Sequence, residues 1–149
     1  MLSERSQALL QERRVGVLAT IGRDGTPHQS PVWFEYRDGV FLLMTEKNLV
    51  KTRNMRRDPR VSLCVQDERP PYASVTVSGR VTLGEPEPGQ HEALATRYLG
   101  EAGAKIYLKI MAERPVGGGG DVLVTLRPER VVEQDFAAQA ASAQQPRGA

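Results

Sequence analysis

Positive charge is concentrated in one short segment of the chain, residues 47–60. This segment holds six cations and one anion, which leaves +5 on it in a chain whose formal net charge is +2. The cations are Lys47, Lys51, Arg53, Arg56, Arg57 and Arg60. At roughly 100° per residue, Arg53, Arg56 and Arg57 share one helix face and Lys51 lies nearly opposite. Lys51 falls in the first turn, close to Thr45 at the preceding strand's end, where free backbone N–H groups and the helix dipole favour an anion. The spacing therefore predicts an anion site at Lys51.

Two other interpretations of the basic segment stay open. A charged helix is often simply solvated. Nucleic-acid binding asks for a broad basic face with interleaved aromatic side chains, yet residues 48–57 contain none and the whole chain is 5% aromatic. A nucleic-acid partner is therefore not expected.

Most other catalytic patterns are absent from the sequence. His28 and His91 lie far apart with no HExxH or metal-ligand spacing, and no GxSxG elbow surrounds a serine. Zinc hydrolysis and triad chemistry are thereby disfavoured, and no metal is expected. We expect both histidines to be solvated and Cys64 to be a buried, inert thiol. The glycine run at residues 117–120 precedes a strand, so it is interpreted as a linker and not as a phosphate loop.

The elements that must position Lys51 are mainly strands. A short N-terminal helix is predicted over residues 3–13, with Ser3 as its cap. Six extended segments follow at residues 15–21, 26–36, 40–45, 61–66, 72–83 and 121–132. The first three form a meander, with Pro31 marking an edge or a bulge. Helices are predicted at residues 48–57 and, with a break near residues 100–103, between the last two strands. This order favours a closed antiparallel barrel.

Length and composition describe one globular domain. The chain has 149 residues, 40% of them hydrophobic and 26% charged, with a single cysteine. No apolar run is long enough to span a bilayer, and the charged N-terminus does not resemble a signal peptide, so the cytoplasm is expected. We expect the domain to cover residues 1–136, and the Ala- and Gln-rich residues 137–149 to form a disordered tail.

One long stretch carries a resemblance to a known family. The string VGVLATIGRDGTPHQSPVWFEYRDGVFLLMTEKNLVKTRNMRRDPRVSLCV is similar to the pyridoxamine 5′-phosphate oxidase-like split barrel, and most closely to its flavin/deazaflavin oxidoreductase branch. The match covers nearly all of residues 2–134, and its most specific part runs from Thr45 through KTRN to RDPR. The resemblance implies a mainly β, six-stranded antiparallel split barrel of the FMN-binding type that forms a homodimer.

The same resemblance implies the site residues. The cofactor lies in the crevice between the two subunits. Val32 and Trp33 contact its ring; Thr45, Lys51 and Thr52 contact its phosphate or linker; and Arg53 and Asn54 lie near its other polar groups. Tyr72, Ala73 and Ser74 reach the partner's cofactor. For Trp33, ordinary barrel packing is an equal alternative.

The function implied is hydride transfer from reduced coenzyme F420 to an unsaturated organic substrate. Cations beyond Lys51 suit the acidic oligoglutamate tail of F420, whereas FMN requires only one phosphate site. The alternatives are an FMN-dependent oxidase or reductase and a non-catalytic module that binds flavin or nucleic acid. Oxidation of vitamin B6 is not implied, because the C-terminal Arg- and His-containing motif is missing. The cofactor carries the chemistry, so no catalytic acid or base is assigned.

Overall fold

A computed structural model describes residues 2–113 and 119–144, which form a curled antiparallel sheet with four helices. The elements in chain order are α1 (Glu4–Gln11), β1 (Gly16–Ile21), β2 (Pro27–Val32), β3 (Glu35–Arg37), β4 (Val40–Glu46), α2 (Val50–Arg57), β5 (Arg60–Asp67), β6 (Ala73–Gly84), α3 (Gln90–Glu113), β7 (Asp121–Asp135) and α4 (Phe136–Gln144). None of these helices is long and apolar enough to cross a membrane.

The sheet has seven strands where the sequence predicts six. Its order is β2-β1-β5-β6-β7-β4-β3, and every neighbouring pair is antiparallel. The predicted strand over residues 26–36 divides at Trp33 and Phe34: β2 pairs with β1 at one edge, and β3 pairs with β4 at the other. Both predicted hairpins are found, but they lie at opposite edges of the sheet and do not form one continuous three-stranded meander. Because one segment of chain joins both edges, the sheet curls into the split barrel that the sequence predicts.

The interior of the barrel follows the period of two that strands impose. Buried and partly exposed residues alternate along β4, β5 and the first part of β6. Phe34 and Phe41 are fully buried and pack at the centre with the aliphatic side chains of β1, β5, β6 and β7. Pro31 lies on the edge strand β2, where its missing N–H costs no hydrogen bond between strands.

The chain termini add two helices. Ser3 caps α1, as predicted, by accepting a hydrogen bond from the backbone N–H of Ser6. At the other end, residues 136–144 form α4 where the sequence predicts a disordered tail. The alanines of this segment are strong helix formers, and Asp135 Oδ1 accepts hydrogen bonds from the N–H groups of Ala137 and Ala138. Residues 145–149 of that tail, and 117–118 of the glycine linker, lie outside the described residues.

Candidate functional site

Helix α2 is positioned by the strand that precedes it. Its N-cap, Leu49, makes no side-chain cap hydrogen bond, and its C-cap is Asp58, so the helix ends before Pro59 as the sequence predicts. The first turn therefore presents backbone N–H groups and the positive end of the dipole without a capping side chain. Lys51 lies in this turn, as the anion-site prediction requires.

A groove of about 320 Å³ opens beside Lys51. We call it the Lys51 groove; it is lined by Val15, Pro31, Val32, Trp33, Met44, Lys51, His91, Leu94 and Tyr107. Its volume lies within the range of small-molecule sites, and its walls are mostly apolar. Burial lowers the pKa of the half-buried Lys51 ammonium, which has no hydrogen bond or ion pair to any residue in the described part of the chain. The structure thus brings together three of the predicted site residues: Val32, Trp33 and Lys51.

Trp33 both packs against helix α3 and faces the groove. Its ring stacks on Tyr98, with centroids 5.0 Å apart and planes at 10°, and it meets Tyr107 at 5.1 Å in a tilted arrangement. The Tyr98 hydroxyl accepts from the N–H of Phe34 at 3.0 Å and donates to the carbonyl oxygen of Arg14 at 2.7 Å. The two interpretations of Trp33 are therefore compatible: α3 fixes one side of the indole, and the groove lies along its exposed edge.

Thr45 and Thr52 are buried away from the groove. Thr45 faces the core with Leu43 because side chains alternate along β4, while Met44 faces the groove. The Oγ1 atoms of the two threonines are 2.9 Å apart, and Thr52 donates to the carbonyl oxygen of Glu46 at 2.6 Å. Neither hydroxyl lines the groove, so these residues act on Lys51 through the position of α2.

Arg53 lies on the opposite side of α2 from Lys51, and neither Arg53 nor Asn54 lines the Lys51 groove. They line a second cavity of about 510 Å³, which we call the Arg53 cavity; Arg57 and the turn between β1 and β2 complete it. The Asn54 amide donates to Thr20 Oγ1 at 3.1 Å, which joins α2 to β1, and it accepts from Arg57 Nη2 at 2.9 Å within the helix. Arg53 is exposed and makes no ion pair within the described ranges. Helix α2 thus separates two cavities, as its 3.6-residue period predicts.

The segment Tyr72–Ser74 is not part of the Lys51 groove. It lies at the start of β6 beside the end of β7, where Ala73 pairs with Asp135. Tyr72 is exposed and meets the ring of Phe136 edge-on at 6.1 Å, while Ala73 is buried beside a separate, smaller cavity. Contact between this segment and a partner subunit's cofactor stays a prediction.

The sequence reasoning missed His91. It is predicted to be solvated, but only 19% of its side chain is exposed; Nδ1 lies 2.8 Å from Asp121 Oδ2, and the ring meets Tyr107 edge-on at 5.9 Å. His91, Leu94 and Tyr98 recur at i, i+3 and i+7, the spacing of one helix face, so this pattern could have indicated an inward-facing histidine. What it could not show is Asp121, which comes from the strand after α3.

The two other residues considered for chemistry also differ from expectation. Cys64 is only half-buried, because it lies on the outer face of β5 opposite Thr76 and Val17. His28 is half-buried at the edge strand β2 and lines the Arg53 cavity. Neither residue lies in the Lys51 groove.

Family comparison matches these features over almost the entire barrel. A family model described as pyridoxamine 5′-phosphate oxidase matches residues 2–135. The chain belongs to this family. Its split barrel is therefore the family's fold, with α2 and the Lys51 groove between the two edges of the sheet.

Three solved structures show how this family member compares with others. The conserved hypothetical protein Rv2991 from Mycobacterium tuberculosis is 26% identical, with a TM-score of 0.72, and the match covers all of this chain and 92% of that one. An F420 reductase is also 26% identical, with a TM-score of 0.65, over 88% of this chain and 98% of its own. A FAD-binding protein from Mesorhizobium loti, at 24% identity and a TM-score of 0.60 over 89% of this chain and 94% of its own, shares the fold.

Proposed function

We propose that the protein binds coenzyme F420 in the Lys51 groove and uses it to reduce an unsaturated organic substrate. When bound, this coenzyme supplies hydride and carries the redox chemistry itself. The protein then has to bind it, orient it and exclude water. The groove offers residues for each of these tasks.

The observation that carries the proposal is the half-buried Lys51 ammonium, unpaired among the residues described, at the open first turn of α2. Burying a charge is unfavourable unless an opposite charge or hydrogen-bond partners compensate it. A phosphate would supply both, and would also interact favourably with the helix dipole. The cation and the mainly apolar groove therefore fit a ligand that joins an anionic group to a flat ring.

The remaining residues have defined parts in this proposal. Trp33 and Val32 form a wall against which a tricyclic ring can lie, and Leu94 and Tyr107 shield the other side from water. Lys51 holds the phosphate. The buried Thr45–Thr52 hydrogen bond holds the first turn of α2 against the end of β4.

Two observations favour F420 over FMN. The Arg53 cavity is lined by the three arginines Arg23, Arg53 and Arg57 and by one carboxylate, Asp24, so it offers net positive charge for an acidic tail beyond the phosphate. FMN, with its single phosphate, leaves that cavity unused. The F420 reductase that matches nearly the full length of both chains is consistent with this choice.

The proposal includes a homodimer in which each cofactor lies near both subunits. Tyr72, Val132 and Phe136 are 45–51% exposed although they are large and apolar, and they share one face where β6 and β7 meet α4. Exposed apolar clusters of this kind are typical of protein interfaces. The position of this cluster beside Ser74 supports a subunit contact that would bring Tyr72, Ala73 and Ser74 to the partner's cofactor.

Equilibrium titration of the purified protein with F420 and with FMN tests the proposal. Saturable, micromolar binding of F420 with weaker binding of FMN is expected. Micromolar binding of FMN without binding of F420 would replace the proposal by the FMN-dependent alternative. Salt-sensitive retention of DNA, with no binding of either cofactor, would favour the nucleic-acid alternative, because phosphate contacts release counterions.

A further inference from the structure

His91 lies between two cavities. One is the Lys51 groove, and the other, of about 390 Å³, is lined by Glu46, His91, Leu108, Met111, Ala112, Gly119, Gly120 and Asp121. We call the second one the His91 cavity. Because His91 borders both, a molecule in the His91 cavity and a ring in the Lys51 groove would each lie against the same imidazole.

Asp121 determines which nitrogen of His91 is free to act. A carboxylate can only accept hydrogen bonds, so the 2.8 Å contact requires a proton on Nδ1 of His91. Nε2 is then the nitrogen that gains or loses a proton, and no residue in the described ranges bonds to it. An imidazole oriented by a carboxylate in this way is a typical arrangement for proton transfer.

We propose that the His91 cavity binds the acceptor substrate and that His91 donates a proton to it from Nε2, with Asp121 as the positioning residue. This inference rests on the proposed function and extends it, since it names the substrate's site and the source of the proton. No part of the family resemblance assigned either.

The proton completes the balance of the reduction. When a carbon–carbon double bond conjugated to a carbonyl group is reduced by a hydride donor, the hydride brings both electrons to one carbon and the other carbon needs a proton. The Nε2–H bond of the imidazolium breaks, a C–H bond forms at that second carbon, and the neutral imidazole takes a proton back from water. The substrate is reduced, the hydride donor is oxidised, and His91 is unchanged.

The walls of the His91 cavity indicate the class of acceptor. Leu108, Met111 and Ala112 make one side apolar, and Glu46 and Asp121 place two carboxylates, paired across β4 and β7, on the other. A mainly apolar molecule with an enone group therefore fits this lining.

Four titratable groups face His91 from the elements around it, and one is a rival proton donor. They are Asp121 on β7, Glu46 on β4, Tyr107 on α3 and Lys51 on α2. Burial raises the pKa of Tyr107, and the carboxylates of Asp121 and Glu46 raise it further, so its hydroxyl keeps its proton at neutral pH. Variants at both His91 and Tyr107 are needed to separate the two donors.

Nuclear magnetic resonance of the oxidised, F420-loaded protein tests the contact without turnover, with cyclohex-2-enone as the probe. The chain has only two histidines, so the His28→Gln variant assigns both signals. Addition of the enone is expected to shift the His91 imidazole resonances and leave those of His28 in place. Unshifted His91 resonances at the solubility limit of the enone overturn the inference.

Kinetics then separates proton donation from mere contact. For His91→Gln we expect the rate of enone reduction to fall by about 100-fold or more, the usual range for loss of an acid catalyst, with F420 affinity changed less than about threefold. Asp121→Asn should give a smaller loss and shift the pH profile. Glu129→Gln, on the same strand as Asp121, removes only an exposed ion pair with Arg80 of β6 and should do neither. A full rate in His91→Gln, or a large loss in Tyr107→Phe alone, overturns the inference.

If the wild-type protein fails to bind F420 or FMN, the proposed function has failed instead, and the titration shows this before any enone is added.

Discussion

The side chains of Thr45 and Thr52 meet at 2.9 Å between their Oγ1 atoms, in a site with almost no solvent exposure. Thr52 also donates to the carbonyl oxygen of Glu46. The last core residue of β4 and the first buried residue of α2 are thus joined directly. Lys51 precedes Thr52, so this hydrogen bond determines where the ammonium enters the groove.

Replacing Thr52 by valine should destabilise the protein. The shape is conserved, but the Thr45 hydroxyl and the Glu46 carbonyl oxygen each lose a partner in a buried site, which costs about 1–3 kcal/mol. Chemical denaturation measures the free energy of unfolding. Thr125→Val is the matched control, because Thr125 lies on a partly exposed strand face and has no side-chain hydrogen bond among the described contacts. Equal stability of the two variants would contradict the structural part assigned to Thr52.

Replacing Tyr98 by phenylalanine should also destabilise the barrel. The variant keeps the stacking on Trp33 but removes the hydroxyl that accepts from the Phe34 N–H and donates to the Arg14 carbonyl oxygen. An unpaired buried N–H costs about 1–3 kcal/mol, so thermal and chemical unfolding should both shift. Tyr107→Phe, whose hydroxyl makes no hydrogen bond with a described residue, should change stability by less than about 0.5 kcal/mol. A Tyr98→Phe protein as stable as Tyr107→Phe would contradict this.

Replacing Lys51 by alanine should weaken cofactor binding and spare the fold. A hydrogen bond to a charged group contributes about 1.5–3 kcal/mol, so a loss of about 10- to 100-fold in affinity is expected. Fluorescence titration with F420 measures it. The exposed Lys109, changed to alanine, controls for the loss of one positive charge from the whole molecule. Unchanged affinity in Lys51→Ala would remove Lys51 from the site.

The lowered pKa of Lys51 makes opposite predictions for binding and for stability. The charged ammonium binds the phosphate, so F420 affinity should fall as the pH rises through a value below 10.5, the ordinary value for lysine. The unfolded chain holds this proton more tightly than the folded one, so the stability of the cofactor-free protein should rise over the same pH range. In Lys51→Ala, the pH dependence of F420 affinity and the rise in stability that this lysine causes should both disappear. A binding curve that is flat up to the pKa of an ordinary lysine would contradict the burial of this group.

Local signals in the sequence determine much of this molecule. The cap at Ser3, the end of α2 before Pro59 and the position of Lys51 in a first turn all depend on neighbouring residues, and all three are found. The division of the second strand is different. It occurs at Phe34, where the backbone N–H bonds to Tyr98, 64 residues away, and no local pattern encodes that contact.

The candidate site also depends on contacts between distant parts of the chain, which no local sequence pattern encodes. The family resemblance places Thr52 at the phosphate, and this contact stays a prediction. The direction of its side chain depends on how α2 packs against β4, where the hydroxyl donates to the Glu46 carbonyl oxygen. The His91–Asp121 contact joins residues 30 apart in the chain, one at the start of α3 and one at the start of β7. Alanine-rich composition suggested disorder after residue 136, whereas helix propensity and the cap at Asp135 favour α4.

A crystal structure of the protein with F420 bound tests the central claim most directly. We predict that the phosphate lies within hydrogen-bond distance of Lys51 Nζ, with the ring along Trp33 and Val32. F420 bound elsewhere, with the Lys51 ammonium exposed to water and remote from the ligand, would contradict the account.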